Sequence, residues 1–191
     1  MVRAVIFDCF GVVISDALEV IVSELRVTRP EAARQVHDLV LASNRGHLTP
    51  RSSSEQIAAL LGMTYEAYRD RIADGEAKDT ALLEYVAALR KTHKTAMLSN
   101  IGSGSLARRF AEGELENYFD VVVSSGDIGF AKPEAEAYEI TAERLGVRLD
   151  ECVFTDDREL YCEGARAVGM QAIRYEGFAQ FRGELEPLLG R

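Results

Sequence analysis

The apolar positions of the chain change period twice. Residues 2–7 form a run of β-branched, aromatic and small side chains without polar alternation, which predicts a strand buried on both faces. Residues 15–92 then read as helix after helix. Asp16 precedes a segment carrying Leu18, Ile21, Val22 and Leu25, and Pro30 opens another with Ala32, Val36, Leu39 and Val40 on one face. Ser52 and Glu55 have capping-box spacing before Ile57, Leu60 and Leu61, with Gly62 as the stop. A short helix over 64–74 ends at Gly75, and Asp79 caps a fifth through Leu82, Leu83, Val86 and Leu89. After Thr92 strands at 95–98, 119–123, 151–155 and 171–174 alternate with helices at 106–111, 134–145, 160–168 and from 178 onward. Such alternation implies right-handed crossovers and a parallel sheet, with the helical stretch inserted after its first strand.

Composition narrows the function. The 191 residues are 47% hydrophobic and 28% charged, as in an ordinary globular protein. A net charge of −9 argues against nucleic acid as a partner, because phosphate backbones demand a basic surface. A phosphorylated metabolite stays compatible, since a metal and a few donors suffice to hold it. No apolar run approaches the roughly 20 residues that span a bilayer, and the first strand begins right after Met1 without a signal-like segment. Cys9, Cys152 and Cys162 lack metal-site spacing and read as small apolar residues. A cytoplasmic protein is expected; its oligomeric state is not legible.

Chemistry-bearing residues follow successive strands. Asp8 ends the first apolar run, Ser99-Asn100 the second, Lys132 precedes the helix at 134–145, and Asp156-Asp157 close the strand at 151–155. In a parallel sheet these carboxyl ends share one edge. Taken singly, each has a plain explanation as a turn or helix cap. Taken together, FDCFGVV, MLSN, Lys132-Pro133 and VFTDDRE resemble the four motifs of the haloacid dehalogenase superfamily, in order and spacing, over nearly the whole chain.

The resemblance implies an α/β Rossmann-like three-layer core at 1–14 and 93–191 and an all-helical cap at 15–92. It also implies a hydrolase of the phosphatase-like branch. Asp8 is the implied nucleophile, forming an acyl phosphate that water cleaves. Mg2+ is implied at the Asp8 side chain, the Phe10 backbone carbonyl and the acid pair, with Asp157 as direct ligand and Asp156 acting through water. Ser99 and Asn100 are implied donors to phosphate oxygens, and Lys132 the cation that offsets the carboxylates and stabilises the transferring group. The expected partner is a small phosphorylated metabolite.

Phe10 departs from the pattern. Phosphatases of this superfamily carry a second aspartate there, as acid and base, and phenylalanine does neither. Two alternatives therefore stand beside the phosphatase. A metal-free 2-haloacid dehalogenase has an aromatic at this place but replaces the acid pair that this chain keeps. A non-catalytic binding or regulatory member would keep the fold and lose turnover, and Tyr161, where related chains often have asparagine, suits either that reading or helix packing. Arg45 and His47, around Gly46, are candidates to meet substrate, with a solvated loop as the plainer explanation, and Arg26 and Arg29 read the same way. Arg158 reads as a counter-charge, Tyr65 and Tyr68 as packing, and His37 and His93 need no special role.

Overall fold

The computed structural model describes residues 1–190; Arg191, assigned to the core by sequence, lies outside the described residues. Five strands form one sheet: β1 (Ala4–Phe7), β2 (Lys94–Ser99), β3 (Val121–Ser124), β4 (Cys152–Asp156) and β5 (Gln171–Arg174), in the order β3-β2-β1-β4-β5. All four pairings are parallel. The first strand is central because its residues tolerate burial on both faces. Val5 and Phe7 face one apolar cluster while Ala4 and Ile6 face the other. In register, Phe7 lies opposite Met97 on β2 and Thr155 on β4, which brings Asp8 level with Asp156.

Helices cover both faces, giving three layers. α7 (Ala135–Leu145) and α8 (Glu159–Ala167) lie on one side, where Tyr138 meets Phe154 edge-on at 5.3 Å. α5 (Thr80–Leu89) and α9 (Phe178–Leu188) lie on the other, where Phe181 meets Phe7 at 5.6 Å. The short α6 (Ser125–Ile128) follows β3 directly.

Between β1 and α5 the chain makes four helices: α1 (Ala17–Thr28), α2 (Pro30–Asn44), α3 (Pro50–Leu61) and α4 (Tyr65–Gly75). They share their own apolar cluster, built on Ile21, Leu25, Val36, Ile57 and Tyr68. Asp16, Thr49, Thr64 and Asp79 cap helices by accepting backbone N–H bonds. The passages into and out of this unit run side by side, with Ser15 N–H donating to Ala77 O, Asp79 N–H to Val13 O, and an antiparallel bridge between Ile14 and Lys78.

Three expectations need correction. α5, grouped by sequence with the inserted helices at 15–92, buries Leu82, Leu83, Val86 and Leu89 in the sheet's cluster, because its apolar stripe matches the β1 face. α3 starts at Pro50 with Thr49 as its cap, rather than at Ser52, since proline is preorganised for the first helical position. The helix expected at 106–111 is one 3-10 turn over Leu106–Arg108; Leu106 and Phe110 turn inward and Arg109 is held by its side chain.

Leu82 is fully buried beneath the sheet. Leu82→Ala is expected to cost about 2–5 kcal/mol in urea unfolding, as for buried leucines elsewhere. A loss under about 1 kcal/mol would show that α5 is not part of the core.

Candidate active site

The sheet's carboxyl edge gathers the residues that sequence singled out. Asp8, Lys132 and Asp156 are all buried. The Lys132 Nζ lies 2.7 Å from Asp8 Oδ1 and 2.6 Å from Asp156 Oδ2, so one ammonium joins the ends of β1 and β4. Asp156 also accepts the Arg158 N–H through Oδ1 at 3.0 Å, which engages both of its oxygens. Asp157 is half-buried, and its carboxylate packs over Gly11. A Cβ on Gly11 would lie 2.6 Å from Asp157 Cγ, and the residue has φ +82°, so only glycine suits the turn after Asp8.

Asn100 has a task beside the expected one. Its Oδ1 accepts the Lys132 N–H and its amide donates to the Lys132 carbonyl, both at 2.8 Å. Its visible task is to hold the lysine loop against the end of β2, which leaves one amide hydrogen for another acceptor. Ser99 is fully buried and its hydroxyl has no hydrogen-bond partner among the described residues, an orphan donor beside the nucleophile candidate. The Phe10 carbonyl accepts no hydrogen bond among the described residues.

The donor set fits a hard divalent cation. Oxygens of Asp8, Asp156 and Asp157 all lie within 4.8 Å of one another. At an effective dielectric of ~20, like charges about 4 Å apart repel by roughly 4 kcal/mol, so one lysine does not settle three carboxylates. The consequence falls on the two acids nearest Asp156. Burial and the Asp156 charge push Asp8 up to about 8 against the pull of Lys132, and burial and Asp156 push Asp157 up to about 6. Burial alone would lower Lys132, but Asp156 and Asp8 outweigh it and hold the ammonium firmly protonated. Carboxylate and carbonyl oxygens with room for retained waters are the ligands Mg2+ takes.

Above this edge lies a cavity of about 190 Å³, roofed by the inserted helices. Gly102 makes the close approach between the two: a Cβ there would lie 2.8 Å from Pro50 and 2.9 Å from Ser43. Phe10 lines the cavity with its ring 4.9 Å beneath the Arg109 guanidinium, which is bound on its other side to both oxygens of Glu76. Sequence reading overlooked Arg108, Arg109 and Glu76, which carry no motif and meet only through the fold. Asp16, read only as a cap, also lines the cavity, as does Tyr68. Arg158 and Tyr161 line it too. The guanidinium stacks 5.4 Å over the tyrosine ring, and the Lys132 Nζ lies 5.1 Å from that ring. Arg45 instead pairs with Glu134 outside the cavity, Arg26 pairs with Glu19, and Arg29 donates to Leu60 O. His47 is not part of the lining.

This edge, with its nucleophile candidate, lysine and acid cluster, is a candidate active site on a parallel α/β sheet. Residues 2–169 match the family model of the haloacid dehalogenase-like hydrolases, and the chain belongs to that family. It is 40% identical over 96 residues to the phosphatase MT3486 of Mycobacterium tuberculosis (strain CDC 1551 / Oshkosh), covering 50% of this chain and 44% of that protein. It is 36% identical over 59 residues to the fructose-1-phosphate phosphatase YqaB of Escherichia coli (strain K12), covering 31% of each. The chain thus spans less than half the length of these curated relatives. A HAD family enzyme of Bacteroides thetaiotaomicron, solved with magnesium and inorganic phosphate, superposes with a TM-score of 0.74 at 20% identity over 95% of this chain and 99% of that one, which shows the shared fold. Among the described residues no helix is long and apolar enough to cross a membrane.

The raised carboxyls have a thermodynamic consequence. Asp8 rises from 3.8 to about 8 in the folded chain, so it holds its proton more tightly folded than unfolded. That contribution to stability is fully present below about pH 4 and is lost as the pH rises to about 8. In EDTA, the melting temperature of the wild type is therefore expected to fall more steeply between pH 5 and pH 8 than that of Asp8→Asn. Parallel profiles would contradict the shift.

Proposed function

We propose that this chain is a Mg2+-dependent phosphohydrolase acting on a small phosphorylated metabolite through an aspartyl-phosphate on Asp8. The observation that carries the reading is a cluster of three carboxylates at the sheet edge, two of them paired with one buried lysine. Attack on a carbon–halogen bond has no use for Asp157, whereas an anionic nucleophile meeting an anionic phosphate needs its charge offset. The phosphatase names of the relatives in M. tuberculosis and E. coli support the same reading.

The residues divide the work as follows. Asp8 attacks phosphorus with the oxygen that Lys132 leaves free; the bond to the leaving oxygen breaks and its electron pair departs with that oxygen. Water then cleaves the acyl phosphate, releasing inorganic phosphate and restoring the carboxylate. Lys132, held by Asp8 and Asp156, presents its charge to the transferring group without reorganisation, and Asn100 keeps its loop in place. The Ser99 hydroxyl donates to a phosphate oxygen, which supplies its missing partner. Asp8, Asp157 and the Phe10 carbonyl would hold Mg2+, and Asp156, whose two oxygens already accept from Lys132 and the Arg158 N–H, would support them from behind. When bound, the cation neutralises charge on phosphate and carboxylates alike. The Phe10 side chain protonates nothing, so leaving groups that depart as weak bases are favoured.

A second reading, a chain that binds its ligand without turnover, draws on one observation. The Phe10 ring under Arg109 is an apolar wall in the position from which an acid would act. Two experiments separate the readings. Asp8→Asn, and separately EDTA, are each expected to abolish hydrolysis of p-nitrophenyl phosphate; activity surviving both would remove the nucleophile and the metal together. Phe10→Asp is expected to raise turnover of an alkyl phosphate by ~10-fold or more, because positioned acid–base groups contribute about 10²–10⁴-fold. A melting temperature raised by Mg2+ with no hydrolysis in either protein would favour the binding reading, and metal-free halide release from 2-chloropropionate would favour the dehalogenase.

A further inference from the structure

The cationic side chains lining the active-site cavity are Lys132, Arg108, Arg109 and Arg158. Three of them face carboxylates. Lys132 joins Asp8 and Asp156, Arg109 is bound by both oxygens of Glu76, and Arg158 lies 3.8 Å from Glu19. Arg108 alone has no carboxylate partner among the described residues; its one side-chain hydrogen bond goes to the Ser105 hydroxyl, at 3.2 Å. In a chain of net charge −9, where most arginines find an acid, an uncompensated guanidinium on a cavity wall stands out.

Its neighbours suit it to a ligand. Arg108 also lines a second small cavity of about 130 Å³, which shares Ser54, Tyr68, Ile72, Glu76 and Arg109 with the first. Arg108 therefore stands on the wall between the space over Asp8 and a smaller one beside α3 and α4. Glu76 spends its charge on Arg109, so it does not neutralise Arg108, and the nearby Ser54 hydroxyl adds a small polar donor. The guanidinium offers a planar fork that matches carboxylate and phosphate oxygens, which a lysine would not reproduce. Lys132 and Ser99 are committed to the reacting end of the cavity, so Arg108 addresses a different part of the same molecule.

We propose that Arg108 forms an anion subsite that selects phosphate esters carrying a second anionic group, a carboxylate or a second phosphate, on the leaving side. The subsite rests on the phosphohydrolase reading, because it takes the first phosphate to lie at Asp8. Selection arises because the guanidinium forms an ion pair, bidentate where geometry allows, with an anion, whereas a neutral hydroxyl offers it a single ion–dipole bond. Arg108 acts on binding and orientation and takes no part in the bond changes.

Non-hydrolysable phosphonates test this without requiring turnover. Isothermal titration calorimetry with Mg2+ present would compare ω-phosphonocarboxylates of three to five carbons with the matching ω-hydroxyalkylphosphonates. The best-fitting carboxylate is expected to bind wild type ~10-fold more tightly than its hydroxyl partner, since bonds to charged groups exceed neutral ones by about that margin. Arg108→Gln is expected to abolish the preference by weakening the carboxylate series ~10-fold more than the hydroxyl series, and Arg108→Lys to restore only part of it. Arg108 is exposed, so both variants should melt close to wild type. Equal binding of the two series by wild type, or a preference that survives Arg108→Gln, overturns the subsite alone. Failure of every phosphonate to bind overturns the phosphohydrolase reading and the subsite with it.

Discussion

The structure of this edge depends on one buried ammonium. Lys132 lies between Asp8 and Asp156, at the ends of the two adjacent central strands, and none of the three is tolerable in the interior without the others. The pairing of β1 with β4 in the register Phe7–Thr155 makes the two carboxylates neighbours, and the Asn100 side chain pins the lysine's backbone opposite them. With Asp157 added, the cluster stays short of positive charge. That shortage raises Asp8 and Asp157 and gives the edge a donor set that suits a cation.

The same accounting of charge explains the cavity above. Its cations are spoken for by Asp8, Asp156, Glu76 and Glu19, except at Arg108. Phe10 belongs to this arrangement more than to the reaction. Its backbone carbonyl accepts no hydrogen bond among the described residues, while its ring serves as a platform for the Arg109–Glu76 pair. Glu76 follows α4 and Arg109 follows β2, so that ion pair ties the inserted helices to the sheet edge beside the reacting groups. The Phe10 side chain thus contributes an apolar contact at the place where helices and core meet.

Much of this was legible in the chain as written. The apolar run before Asp8, the helix caps at Asp16, Thr64 and Asp79, and the alternation after Thr92 are local patterns, set by the period of burial and by which side chains satisfy free N–H groups. The polar residues following successive strands could be placed on one edge because parallel strands share a direction. Strong local signals also misled. The Ser52–Glu55 spacing lost to a proline already suited to the first helical turn, and the 106–111 stretch lost its helix because Arg109 and the inward-turned Leu106 and Phe110 satisfied tertiary partners first.

The sequence by itself determined the α/β class, the inserted helices and the residues of the carboxylate cluster, because each depends on short-range periodicity or on groups at strand ends. Only the tertiary structure decided that α5 packs under the sheet, that Asn100 holds Lys132, that Ser99 is left without a partner, and that Arg109 caps Phe10 while Arg108 stays uncompensated. These are contacts between segments distant along the chain. Their outcome turns on which of several polar groups reaches a buried partner first, and no local pattern carries that information.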